Sequence, residues 1–290
     1  MKRRRLLALC GSLLATAGCV STPAEPRDET GTETPVPPPD SPTDEGTGTR
    51  TDFGTVSVES ATVQQGVVGP DSPDSIGVYD EAEQYLVVIV AVDGPAPEPE
   101  RFALKADGDA VNPDTLVDGL YRDGQWAVRY GQGGGPLVFP LPATVPAESV
   151  RLEWPGGSWS PPEPIRHRLA ARPPGFAVSM DGPSQVEPDD DPKVSVVVTN
   201  VGEVAGRFVL ALNRSGPRVA YTPVARLTGV LDPGESWQRT FDAESPYVAD
   251  PPRRATYLLD APGDRQDTTV TLSPTDASTE SASETGTMVE

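Results

Sequence analysis

The chain has two cysteines and one histidine among its 290 residues, and only three of its 23 basic residues are lysines. Each scarcity excludes something. Cys10 lies in an apolar N-terminal run and Cys19 just behind it, so the body from residue 53 onward holds no thiol. An internal disulfide, a cysteine nucleophile and a Cys-based zinc site are excluded there. The lone His167 excludes two-histidine zinc sites. It sits between Arg166 and Arg168, whose guanidinium charges disfavour an imidazolium, so it reads as a surface residue at a domain boundary rather than the base of a Ser-His-Asp triad. Long apolar runs are missing too. Residues 6–17 make only about a dozen, short of the roughly 20 that a membrane span needs.

What that run does carry is a leader. Arg3-Arg4-Arg5 precedes it and Gly18-Cys19 follows it, the basic, apolar and small-residue order of an export signal. Arg3-Arg4-Arg5-Leu6-Leu7 resembles the twin-arginine pattern, which implies export of an already folded chain through Arg3 and Arg4. Thr16-Ala17-Gly18-Cys19 resembles the lipoboxes of haloarchaeal surface lipoproteins. Thr16 stands where bacterial lipoboxes usually carry leucine. The resemblance implies cleavage before Cys19 and lipidation of that sulfur, with residues 1–18 as signal peptide. No apolar anchor is read at the C-terminus, so tethering is expected at the N-terminus, on the extracellular face of the cell membrane.

With Lys2, Arg3, Arg4 and Arg5 gone with the leader, 19 of the 23 basic residues remain against 43 acidic ones, a formal charge of −24. Such a chain repels nucleic acid and does not dock to anionic lipid through a basic patch. High acidity with little lysine resembles proteins of extreme halophiles, where molar salt shortens the Debye length to about 3 Å; an acidic secreted protein of a GC-rich mesophile is the other source of this composition.

Residues 19–52, with Pro35-Val36-Pro37-Pro38-Pro39 and many Thr, Glu, Asp and Gly, have nothing to build a core from. They read as a disordered tether that reaches on the order of 100 Å at about 3 Å per residue, with Thr and Ser beside Pro suited to O-glycosylation. Residues 273–290, rich in Ser, Thr and Glu, read as a disordered acidic tail.

Between them the pattern is of strands. Residues 55–63 alternate with period two. Residues 85–92 are apolar on both faces, as in a strand buried on both sides. Shorter strands are expected over 101–105, 125–130, 136–141 and 149–154. The Pro- and Gly-rich stretch 156–172 reads as a boundary, with 165–169 as a last strand. Further strands follow over 193–200, 207–212, 237–241, 256–259 and 268–272. The expected fold is all-β: two tandem Ig-like β-sandwiches, residues 53–172 and 173–272. The first loosely resembles telokin-type Ig-like domains. In the second, Val194-x-Val196-x-Val198-x-Asn200-x-Gly202 followed by Leu231-Asp232-Pro233-Gly234-Glu235 resembles CARDB-like Ig folds of cell-surface proteins. That implies a fold and no ligand.

Candidate chemistry is thin, and no cofactor or metal is expected. Asp189-Asp190-Asp191 offers hard oxygen ligands, but adjacent side chains on extended backbone diverge, and a solvated loop is expected. Gly131-Gln132-Gly133-Gly134-Gly135 lacks the lysine of a phosphate loop and reads as a hairpin loop. Trp154 and Trp159 flank Pro155-Gly156-Gly157-Ser158 and are the sugar-stacking candidates, whereas Trp126 and Trp237 are expected in the core. Asn213-Arg214-Ser215 is a glycosylation sequon, expected in an outward turn. The reading is a non-catalytic surface lipoprotein presenting binding or spacer modules to an envelope protein or glycan. A carbohydrate-binding envelope protein comes second, and a hydrolase using two carboxylates about 5 to 10 Å apart third.

Overall fold

Tyr85-Leu86-Val87-Val88-Ile89-Val90 offers apolar side chains to both sides of a strand, and both sides are used. In the computed structural model, which describes residues 53–114, 119–122, 124–187, 193–216, 219–242 and 254–272, this segment lies between two antiparallel neighbours. The leader with Arg3, Arg4 and Cys19, the tether, Asp189–Asp191 and the acidic tail lie outside the described residues.

The described elements run β1 (Thr55–Gln64), β2 (Val67–Ser72), β3 (Ser75–Tyr79), β4 (Gln84–Asp93), β5 (Ala103–Ala106), β6 (Asp109–Val111), β7 (Leu120–Arg122), β8 (Gln125–Val128), β9 (Gly134–Leu141), β10 (Arg151–Trp154), β11 (Gly157–Trp159) and α1 (Glu163–Ala170). They continue as β12 (Phe176–Asp181), β13 (Gln185–Val186), β14 (Lys193–Asn200), β15 (Gly206–Gly216), β16 (Val219–Leu231), β17 (Ser236–Asp242), β18 (Arg254–Ala261) and β19 (Asp264–Leu272). The fold is all-β, with α1 as the one α-helix among the described residues.

In the first half, β1, β4 and β9 form one sheet, and β11, β10, β5 and β6 form another. Phe102, Leu104, Leu137, Phe139 and Leu152 fill the space between them. A β-bulge at Val58/Ser60 decides what β1 shows to that core. Two residues of β1 advance against one of β4, so Ala61 and Val63 join the face of Val56 and Val58, while Ser60, Thr62 and Gln64 take the other. On that second face Tyr85, Val87 and Val138 pack with Val67 and Leu120 of the β2–β3 and β7–β8 hairpins. β4 is therefore covered twice, as its sequence implied, and the half is more than a two-sheet sandwich. The Gly-rich run 131–135 closes the turn into β9, with reciprocal Gly131–Gly134 backbone bonds of 2.8 and 2.9 Å. Gly134 has φ +97°, and a Cβ there would strike the Val90 carbonyl, so only glycine fits.

In the second half, sheet β12-β14-β17 faces β13-β19-β18-β15 with β16 beyond β15. The two sheets pack face to face as a β-sandwich. Val194, Val196 and Val198 meet Phe208, Leu210, Leu212, Tyr257 and Leu259 in its core. Alternation in β14 and β18 supplies the inward residues directly.

The stretch expected as a strand at 165–169 is instead the helix α1. Pro164 in its first turn presets a helical φ, Ile165 and Leu169 lie one turn apart on the core side, and Arg168 Nη1 donates to the carbonyls of Ala171 and Arg172 beyond its end. Two turns are too few for periodicity to be read from sequence.

The halves do not hang as separate beads. All described residues belong to one compact unit, Thr49–Glu290, and β1 lies beside β15 in a single sheet, bridged in parallel at Gln64↔Arg207. Val68, Ile76 and Tyr121 share a core with Val209 and Ala211. Asn213 Nδ2 donates to the Ile76 carbonyl at 2.7 Å and its Oδ1 accepts the Ile76 N–H at 2.9 Å. Asp260 accepts Val78 N–H at 2.8 Å, and Asp80 accepts Gly263 N–H at 2.7 Å.

Burial pushes the phenols of Tyr85 and Tyr130 above the ordinary tyrosine value. A raised folded-state pKa gives stability that is complete below the unfolded value of about 10 and is lost as pH rises through the folded one. Urea unfolding alongside tyrosinate absorbance should therefore show stability falling on the alkaline side of about pH 10. A flat profile between about pH 9 and 11 would contradict this.

Candidate functional site

The tryptophans proposed as sugar platforms are placed by the β10–β11 hairpin. Its register sets Trp159 opposite Leu152 and Trp154 opposite Gly157, so both rings share the pleat face of the fully buried Leu152. Both are half-buried against the first core. Trp154 lies 6.1 Å from Phe102, ring centre to ring centre, and is packed so closely on Gly157 that a Cβ there would come 2.7 Å from its Nε1. Their faces are largely spent on the protein itself. Trp126, expected in the core, is the exposed one at 40%, standing edge-on to Tyr121 at 5.5 Å. Trp237 packs on Phe208 at 5.2 Å, as a core residue would.

Asn213 is not in an outward turn. It lies within β15, 6% exposed, with its amide committed at both ends to Ile76. A glycan on Nδ2 would have to displace the bond that joins the halves, so the folded chain does not present this sequon. The sequon carried no sign of this, because its partner is 137 residues away.

His167 is on the exposed face of α1, 3.6 Å from Glu163 one turn earlier. Among the described residues no serine hydroxyl is hydrogen-bonded to it, as the nucleophile of a triad would be. For the carboxylate-pair reading, a cavity of about 180 Å³ is lined by both Asp71 and Asp260. Asp260 is already taken up there: Oδ2 holds Val78 N–H, and Oδ1 pairs with Arg265 Nε at 3.3 Å. No cluster of three or more potential metal ligands occurs among the described residues.

A cleft of about 560 Å³ opens where α1 and β1 meet the second half. It falls within the range of small-molecule sites. Ala61, Val63, Ile165, Val204 and Val230 give it an apolar lining, and its titratable lining groups are His167, Arg168 and Arg207. Val230 is 57% exposed. With this lining and no Asp or Glu in it, the cleft is suited to holding an apolar group. Its walls come from residues 61–63, 164–171, 204–207 and 230, a separation that no sequence window could span.

Comparison with known proteins adds little. No family model matches the chain, and no curated protein matches it. Solved structures with local likeness include a β-glucosidase from Listeria innocua in complex with glucose (16% identity, TM-score 0.30, 37% of this chain and 18% of that one). Others are a β-glucosidase from Erythrobacter marinus (21%, 0.29, 34% and 16%) and a β-D-glucoside glucohydrolase from Trichoderma reesei (17%, 0.28, 36% and 19%). The chain spans less than a fifth of the length of these enzymes.

Proposed function

We propose that this chain is a lipid-anchored surface protein that presents a non-catalytic β-sandwich module for binding or spacing at the outer face of the cell membrane. The observation that carries the reading is the order Arg3-Arg4-Arg5, apolar run, Gly18-Cys19, then a long Pro- and Thr-rich acidic stretch. An export signal ending at an acylated cysteine would leave Cys19 as the first residue of the mature chain. The stretch behind it would act as a stalk, and the β-rich body would be displayed on it. The second half would be a CARDB-like Ig module. A body whose halves share one sheet suits display, because it holds its faces in a constant relation.

Replacing Cys19 tests this. In the native host the wild-type chain should fractionate with membranes and carry a lipid mass on its N-terminal peptide. Cys19→Ser should move it to the medium or leave the leader uncut. Full-length, unmodified wild-type chain among cytosolic proteins would overturn the reading.

A further inference from the structure

A second, smaller cavity lies on the face of β1 turned away from the first core. It measures about 200 Å³, and its lining includes Arg122 of β7, Arg207 of β15 and Arg226 of β16. No Asp or Glu is among its lining residues, in a chain with 43 acidic residues against 23 basic ones. We propose that this cavity binds a small doubly charged oxyanion of the phosphate or sulfate type.

The fold assembles the site from distant parts. The bulge in β1 turns the hydroxyls of Ser60 and Thr62 into it, beside Gln64. Gln64 is the residue at which β1 bridges to Arg207. Arg207 is oriented by a hydroxyl rather than a carboxylate: its Nη1 donates to Thr228 Oγ1 at 3.3 Å, and Thr228 in turn donates to the Phe208 carbonyl at 2.9 Å. Among the described residues neither Arg122 nor Arg207 forms an ion pair, and all three guanidinium-bearing residues are half-buried. Burial pushes the Arg207 guanidinium below the usual arginine range, the mark of a cation removed from water without a counter-charge.

A bound dianion would supply that charge. Guanidinium forks match the paired oxygens of phosphate or sulfate, and Val87, Ile89 and Leu120 in the lining strengthen the field by excluding water. The volume lies below the range of drug-sized sites, which start near 300 Å³, and suits an ion with a few waters. Recession into the fold also limits screening at high salt. The inference goes beyond the proposed function and is independent of where the protein resides.

The test is calorimetric and thermal titration of the full chain with inorganic phosphate and with sulfate, at ionic strength held constant with sodium chloride. Saturable binding of one ion per chain with a rise in Tm is expected, with acetate weaker. Arg122→Gln and Arg207→Met should each weaken binding about tenfold or more. Arg122 is in a short outer hairpin, so its variant keeps the test open if Arg207→Met does not fold. Non-saturating binding, acetate binding as tight as phosphate, or unchanged affinity in Arg122→Gln would each overturn the site. So would binding that appears only after deletion of residues 273–290, because the chain's own carboxylates would then be its occupant.

Discussion

Asn200→Ala should lower stability by about 3–5 kcal/mol, a loss large for a single side chain. Asn200 is fully buried at the end of β14. Its Nδ2 donates to the carbonyls of Val204 at 2.8 Å and Leu231 at 2.9 Å, and its Oδ1 accepts Gly202 N–H at 2.9 Å. Its backbone completes the knot, with Gly234 N–H reaching the Asn200 carbonyl and Asn200 N–H reaching Glu235 O. Alanine would strand two carbonyls and an N–H at once. Asn200→Asp keeps the acceptor but loses both donors and buries a charge, so it should do no better. With roughly 2–4 °C per kcal/mol for a domain of this size, Tm should fall on the order of 10 °C. A urea midpoint shift equivalent to less than about 1 kcal/mol would show that the knot is not a structural keystone.

This knot also explains why the motif has two parts. Asn-x-Gly ends β14, and Leu-x-Pro-Gly-Glu turns the chain into β17; the Asn200 side chain and backbone tie one to the other. Glu235 Oε2 accepts Asp232 N–H at 2.9 Å, and Gly234 takes φ +78° to allow the turn. The spacing in the sequence is the trace of a three-dimensional contact.

Phe208→Ala should cost about 3–5 kcal/mol, the range for truncating a buried aromatic side chain. Phe208 is 1% exposed and stands between Phe176 at 6.1 Å and Trp237 at 5.2 Å, ring centre to ring centre. Truncation opens a void between the two sheets that these rings bridge. Gly229 provides an internal check, because a Cβ there would meet Phe208 Cε1 at 2.8 Å. Gly229→Ala should therefore destabilise the wild type but be better tolerated in Phe208→Ala, a coupling that a double-mutant cycle measures. Additive losses within about 0.5 kcal/mol would show that the two residues do not compete for the same space.

The amino-acid order alone determined the β class, and the reason is local. Alternation in 194–198 and continuous apolarity in 85–90 each dictate how many faces a strand must bury, and the Asn-x-Gly and Pro-Gly turns mark where strands end. The scarcity of cysteine and histidine likewise closed off thiol and two-histidine chemistry before any coordinates. What only the tertiary structure decided lies between segments far apart in the chain. The joining of β1 to β15, the inward commitment of Asn213, the turning of Trp154 and Trp159 onto the core, and the gathering of Arg122, Arg207 and Arg226 around one cavity all depend on pairing register. A single bulge or a one-residue shift reverses which face a side chain occupies, and a window of sequence does not contain the partner that sets it.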